Sequence, residues 1–276
     1  MKNWTLSYVL KGNLVETIFK LIFLPNKDVL ISVGLDNNII VWDLNEMDYK
    51  ILKIHKSKIS SLSISQDGKY LLSLDDSGKI ILSDLENLET IQTFKTKVNL
   101  LDIFSQVFLS PDAKYFVLLK HINLQSYISI FNLINIKKVI TKKNGTSGGI
   151  FFTKDSKNML VCSNSQVKIM DLEKFKIMKK IKLEVSTLNY FKFLKNKFLI
   201  FTDWQNNLFS LNIENKKLKH MIKINEIESI NKLDITEDFK YLVVSDGYKN
   251  LFVLDLETKD IIKGFSLEKG DERYRW

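Results

Sequence analysis

Six copies of one strand-like stretch, recurring about every 40 residues, constrain this chain more than any other feature. The first is Asn38 to Leu44 (N-I-I-V-W-D-L). Lys79 to Leu85, Tyr127 to Leu133, Gln166 to Leu172, Asn207 to Ile213 and Asn250 to Leu256 match it position by position. Side chains alternate along an extended strand, so Ile39 and Val41 face one side and Ile40 and Trp42 the other. Both sides are apolar, as a strand buried on both faces requires. The Asp or Asn at the sixth position stands at 43, 84, 132, 171, 212 and 255, in steps of 41, 48, 39, 41 and 43 residues. Strand-like copies at this period are the pattern of propeller blades.

A second marker keeps phase with the first. An apolar residue, a short polar turn and a new apolar run precede each Asp/Asn: Phe23 to Asn26, Ile64 to Gly68, Leu109 to Asp112, Phe152 to Asp155, Phe193 to Asn196 and Ile235 to Asp238. Each turn carries Pro, Gly, Asp or Asn, the chemistry of a tight hairpin. The expectation is an all-β chain of four-stranded antiparallel blades. Predicted inner strands of the first blade are Val15 to Phe23, Val29 to Ser32 and Ile39 to Trp42, with Tyr49 to Ile54 outside them. Later outer strands fall near 89–94, 137–141, 176–182, 218–224 and 260–267.

On these residues the chain resembles WD40-repeat proteins. Ser110-Pro111-Asp112 is close to that family's S-P-D-G turn, and Val41-Trp42-Asp43-Leu44 to its terminal signature. His55, four residues before Ile59, sits where the family has the His of its Gly-His pair. The resemblance spans nearly the whole chain but is degenerate. Only Trp42 keeps the Trp; Ser83, Phe131, Met170, Leu211 and Leu254 replace it elsewhere. In the family a His, a Ser/Thr, an Asp and that Trp can form a buried network within a blade. The first blade offers Ser32, Asp36 and Trp42 but Gly12-Asn13 in place of Gly-His; the second offers His55 but Ser83. Stability is therefore expected mainly from apolar packing between blades.

The repeat makes residues 1–276 a single propeller domain, although length alone would allow two. Six blades are favoured over seven, since a seventh needs about 40 residues and only 20 follow Leu256. Trp4 to Leu10 reads as an additional strand, so either end of the chain could supply the fourth strand of the last blade. The step between Asp84 and Asn132 is the longest, and longer loops in 97–106 or 121–126 are its expected cause.

Composition bounds the function. Net charge is +9, yet of 41 basic residues only Arg273 and Arg275 are arginine. Base and phosphate readout favours the Arg fork, so nucleic acid is disfavoured as a partner despite the charge. Cys162 is the one cysteine, which excludes an intrachain disulfide and fits a reducing compartment. It falls in a predicted strand, as a buried apolar residue rather than a nucleophile. Leu14 to Leu24, broken by Glu16 and Lys20, is too short to span a bilayer and reads as a strand. A soluble cytoplasmic protein without a membrane span is expected.

No catalytic or metal site is expected, and no cofactor. His55, His121 and His220 belong to different predicted elements, and no metal-ligand spacing, Gly-rich phosphate loop or nucleophile elbow is present. The expected function is a non-catalytic scaffold for one or more protein partners. Its alternatives are an open propeller completed by a partner's strand or blade and a small-ligand or enzymatic propeller. Three residues are candidates for partner binding. Trp204 lies in the polar turn Thr202 to Asn206, as an interface anchor or as a cap folded over the neighbouring blade. Tyr248 lies in the corresponding loop of the sixth blade, Asp246 to Lys249. His55 falls on this face by family analogy, although a structural role within its blade is favoured. The C-terminal stretch Lys269 to Trp276, which holds both arginines, reads as a tail or a docking segment.

Overall fold

The computed structural model describes residues 18–25, 27–96, 105–122, 125–134, 137–144, 147–163, 166–183, 185, 188–225, 227, 230–246 and 250–266. All regular structure in them is β. The first blade is β1 (Ile18–Phe23), β2 (Val29–Gly34), β3 (Ile39–Asp43) and β4 (Asp48–Leu52). The second is β5 (Ile59–Ile64), β6 (Tyr70–Asp75), β7 (Lys79–Asp84) and β8 (Glu89–Lys95), and the third β9 (Gln106–Leu109), β10 (Tyr115–Ile122), β11 (Gln125–Asn132) and β12 (Lys137–Asn144). The fourth holds β13 (Ser147–Phe152), β14 (Asn158–Ser163), β15 (Gln166–Asp171) and β16 (Lys176–Lys182). The fifth holds β17 (Leu188–Leu194), β18 (Phe198–Asp203), β19 (Asn207–Asn212) and β20 (Lys217–Lys223), and the sixth β21 (Ile230–Ile235), β22 (Tyr241–Asp246), β23 (Asn250–Asp255) and β24 (Ile261–Ser266). Six four-stranded antiparallel blades make the chain a six-bladed β-propeller.

Every blade is made of four consecutive strands. The fourth strand of the sixth blade is therefore β24, from the C-terminal side; Trp4 to Leu10 lies outside the described residues. Part of the longest step is taken up by strand rather than loop, because β10 and β11 each run to eight residues where β6 and β7 have six.

The second sequence marker acts as a hydroxyl–carboxylate clasp on the first hairpin of a blade. Ser65, Ser110, Thr153 and Thr236 each donate to the Asp two residues on. Each also accepts the backbone N–H five residues on, and so fixes the start of the second strand. The Thr153 and Thr236 hydroxyls hold Asp155 and Asp238 below the usual carboxylate range.

The first three blades form one compact unit and the last three another. In the first unit, Ile31, Val33 and Ile39 pack against Leu62, Leu71 and Ile59, and Leu72 and Leu82 against Leu109 and Phe116. In the second, Leu160, Val167 and Ile181 meet Leu199, Phe201 and Leu211, while Ile200 and Leu208 meet Leu242 and Val244. Alternate residues of the middle strands thus feed two interfaces, which is why those strands are apolar on both faces.

Candidate protein-binding face

In the second, fifth and sixth blades the turn between the second and third strands is built around one carboxylate, Asp75, Asp203 or Asp246. In the fifth blade, Asp203 accepts the backbone N–H of Gln205 and of Asn207 through Oδ1, each at 2.9 Å. Its Oδ2 takes the Asn207 side-chain amide at 2.8 Å. Asn206 adopts φ 62°, a left-handed position that Asn tolerates. Its side-chain amide donates to the Ile227 carbonyl, and its own carbonyl accepts from Ile224 N–H. Trp204 sits between these two anchored residues and is 68% exposed, so it does not fold over its own propeller as a cap.

The second blade repeats the turn with a different side chain on the carboxylate. Asp75 Oδ1 accepts from Ser77 N–H, the Ser77 hydroxyl and Lys79 N–H, and Gly78 takes the left-handed position at φ 80°. Asp75 Oδ2 is free for His55, whose Nδ1–H donates to it at 2.8 Å, while Nε2 meets the Ser73 hydroxyl at 2.7 Å. The His55 side chain has no exposed surface. Burial pushes its pKa below the usual value of 6.5, with Asp75 opposing the shift, and the neutral imidazole matches the observed partners. Asp75 is held below the ordinary carboxylate range: burial raises its pKa, but the bonds from Ser77, His55 and Lys79 outweigh that.

The first blade carries the other half of this network. Trp42 Nε1–H donates to the Ser32 hydroxyl at 2.8 Å, both groups being buried. Asp36, expected from the sequence as the network's carboxylate, lies two residues past that place. Gly34 stands there, pairing with Ile18 as Asp75 pairs with Ile59. Asp36 instead binds the backbone and side-chain amides of Asn38. In the second blade Ser83 stands where the Trp would be, and its buried hydroxyl has no partner.

Blades of this kind, a Ser–Trp pair in one and a His–Ser–Asp triad in the next, occupy the stretches that match the model of the WD domain, G-beta repeat: residues 4–43 and 48–84. These two stretches are WD40 repeats. Among solved structures, the crystal structure of the Cps50 (Swd1) β-propeller domain of Myceliophteria thermophila is similar to this chain with a TM-score of 0.69. That match covers 92% of this chain and 90% of the other at 16% identity, a likeness of fold alone. No curated protein matches the sequence.

Of the three candidate residues, the structure presents one. Trp204 is exposed, and Leu35, at the same position of the first blade's turn, is exposed as well. His55 is consumed inside its blade and offers no surface to a partner. Tyr248 lies outside the described residues, although its flanks repeat the Trp204 turn: Asn250 N–H and its amide bind the two oxygens of Asp246. Cys162 is fully buried and its thiol is pushed far up by burial. His220 stacks edge-on against Phe209 and contacts Asn207. Among the described residues no group of three or more His, Cys, Asp or Glu is placed to hold a metal ion, and no helix is long and apolar enough to cross a membrane. Sequence reasoning missed Ser73 and Asp75. Their signal is the spacing Ser73-Leu74-Asp75, which puts both polar groups on the last residues of a strand following His55.

Proposed function

We propose that this protein is a non-catalytic cytoplasmic scaffold that holds a protein partner on the face bearing the turns between second and third strands, with Trp204 as the anchor. The observation that carries this reading is a large aromatic side chain, mostly exposed, on a turn fixed by the five hydrogen bonds described above. A rigid exposed Trp loses little side-chain freedom on binding, and Trp is the residue type most enriched at interface hot spots. The test is a tagged pull-down from the native cell with Trp204→Ala in parallel. A stoichiometric partner lost in the variant, with an unchanged melting temperature, is expected; a partner retained at full yield moves the site elsewhere.

One observation favours a second reading, a propeller face that accepts a strand or blade from a partner. On β1, Leu21 is 53% and Phe23 67% exposed, whereas at the same positions of the next two blades Leu62, Val107 and Leu109 are buried and Ile64 is half-buried. Leu21→Ser/Phe23→Ser in the same pull-down separates the two readings, since it removes this apolar contact and leaves the Trp204 turn intact.

A further inference from the structure

The positive charge of the chain is not spread evenly over its outer strands. Residues 174–182 and 216–223, which contain β16 and β20, hold nine lysines and no carboxylate. The outer strand of the first blade with its flanks, 46–53, holds two lysines against Glu46 and Asp48. That of the second, 86–96, holds Lys95 against Glu86 and Glu89, that of the sixth, 257–266, is balanced, and that of the third, 137–144, holds four lysines and no carboxylate.

On β16 the pattern is regular. Lys176, Met178, Lys180 and Lys182 are exposed, while Ile177 and Ile181 turn inward. Met178 is 57% exposed, an apolar side chain set between lysines. Lys176, Lys180 and Lys182 form no ion pair among the described residues. Lys179 alone is spent internally, capping the carbonyls of Ile213 and Glu214. β16 is also the edge of its sheet, paired with β15 on one side only. Its other side presents backbone donors and acceptors in two runs, before and after a bulge at Met178, where Met170 pairs with Ile177 and Ile169 with Lys179. Lysines on an edge strand can serve simply to block edge-to-edge aggregation. β12 and β20 are lysine-rich edges as well, while β4, β8 and β24 are not; what sets β16 apart is an exposed apolar side chain, Met178, alternating with exposed lysines, which blocking does not require.

We propose that the edge of β16 is a docking site for an extended acidic segment of another protein, which adds as a fifth antiparallel or parallel strand. Backbone pairing supplies the geometry, carboxylates at alternate positions meet Lys176, Lys180 and Lys182, and an apolar side chain covers Met178. A polypeptide fits this edge better than a nucleic acid does, because phosphates carry no donors to match the exposed carbonyls and the strip has no Arg fork. The site is separate from the Trp204 turn and does not depend on it.

The test uses the full chain and a labelled short peptide alternating Glu and Val, followed by fluorescence anisotropy. Parallel probes are a peptide of the same charge with Pro replacing Val, vesicles of phosphatidylserine and phosphatidylcholine, and a single-stranded RNA. The Glu-Val peptide should bind, and the Pro peptide at least about tenfold more weakly because it cannot pair with the edge. Lys176→Glu/Lys180→Glu/Lys182→Glu should weaken the Glu-Val peptide about 10- to 100-fold, at up to about 1 kcal/mol for each exposed pair. Lys50→Glu/Lys53→Glu on the first blade, and Trp204→Ala, should leave binding unchanged. Equal binding of the Pro peptide, binding of vesicles or RNA in place of the peptide, or no binding at a correctly folded β16 edge would each overturn the proposal.

Discussion

The second and fifth blades build the same turn on the same carboxylate and wire it in opposite directions. In the second, Asp75 turns its spare oxygen inward to His55 and, through it, to Ser73, and the turn residue Asp76 that follows is a small polar side chain. In the fifth, Asp203 closes its spare oxygen locally on Asn207, the middle of the sheet is filled by Phe201 and Leu211, and the turn displays Trp204. Phe201 and Leu211 occupy the places of Ser73 and Ser83, as the strand registers show. These two turns share their Asp, although Gly34 and Ser163 take that place in the first and fourth blades, while the buried polar network beneath is optional. Where the network is replaced by apolar packing, the exposed turn residue is free to vary.

The comparison breaks most visibly at Phe201. It is fully buried, stacks on Phe209 with centroids 5.4 Å apart and lies 6.0 Å from Phe191. Phe201→Ala should cost about 3–5 kcal/mol, measured by denaturant unfolding, more than any single polar deletion in the second blade. Next come the carboxylates. Asp75→Ala strands two backbone N–H groups and the His55 imidazole and should cost about 2–4 kcal/mol. Asp203→Ala loses only bonds within its own turn and should cost about half as much. A double-mutant cycle of Asp75→Ala with His55→Ala measures how much of the difference is the histidine; zero coupling would show that the buried pair does not separate the blades.

A smaller effect runs the other way. Ser83 and Thr202 carry buried hydroxyls with no partner, one in each blade. Ser83→Ala and Thr202→Val should each raise stability by up to about 1 kcal/mol, read as a higher melting temperature.

The pH dependence sharpens the same contrast. The folded pKa of His55 lies below its unfolded value of 6.5. Below pH 6.5 the unfolded chain takes up a proton that the folded blade refuses. The His55 contribution is therefore complete above that pH and is lost as pH falls through the folded pKa. His55→Gln should flatten the decline of melting temperature below pH 6.5, while fifth-blade variants keep the wild-type slope. Asp75, also depressed, contributes a further loss only in the acid range below the ordinary carboxylate value of 3.8. The smallest change in stability belongs to the proposed anchor: Trp204→Ala should shift it by no more than about 0.5 kcal/mol, by calorimetry, because its side chain is mostly solvated.

The repeat was legible because two local codes recur in phase. Alternating apolar strands ending in Asp or Asn specify the third strand of a blade, and a Ser/Thr-x-Asp clasp specifies the hairpin before it. Both act within a few residues, so sequence alone determined six blades and nearly all strand positions. The exposure of Trp204 was only half legible: its polar neighbours placed it in a turn, but anchor and cap remained equal alternatives. The tertiary structure shows only that the side chain is exposed, because what a turn side chain touches depends on neighbouring blades that are remote in sequence. Registration across strands decided the rest. Asp36 and Gly34 differ by two positions, a single pleat, and only the pairing of β1 with β2 shows which of them stands at the network. The choice of β24 as the last blade's fourth strand, and the alignment of the lysines along one sheet edge, are likewise facts of strand pairing. Pairing between distant segments is set by packing, which local sequence preference does not reach.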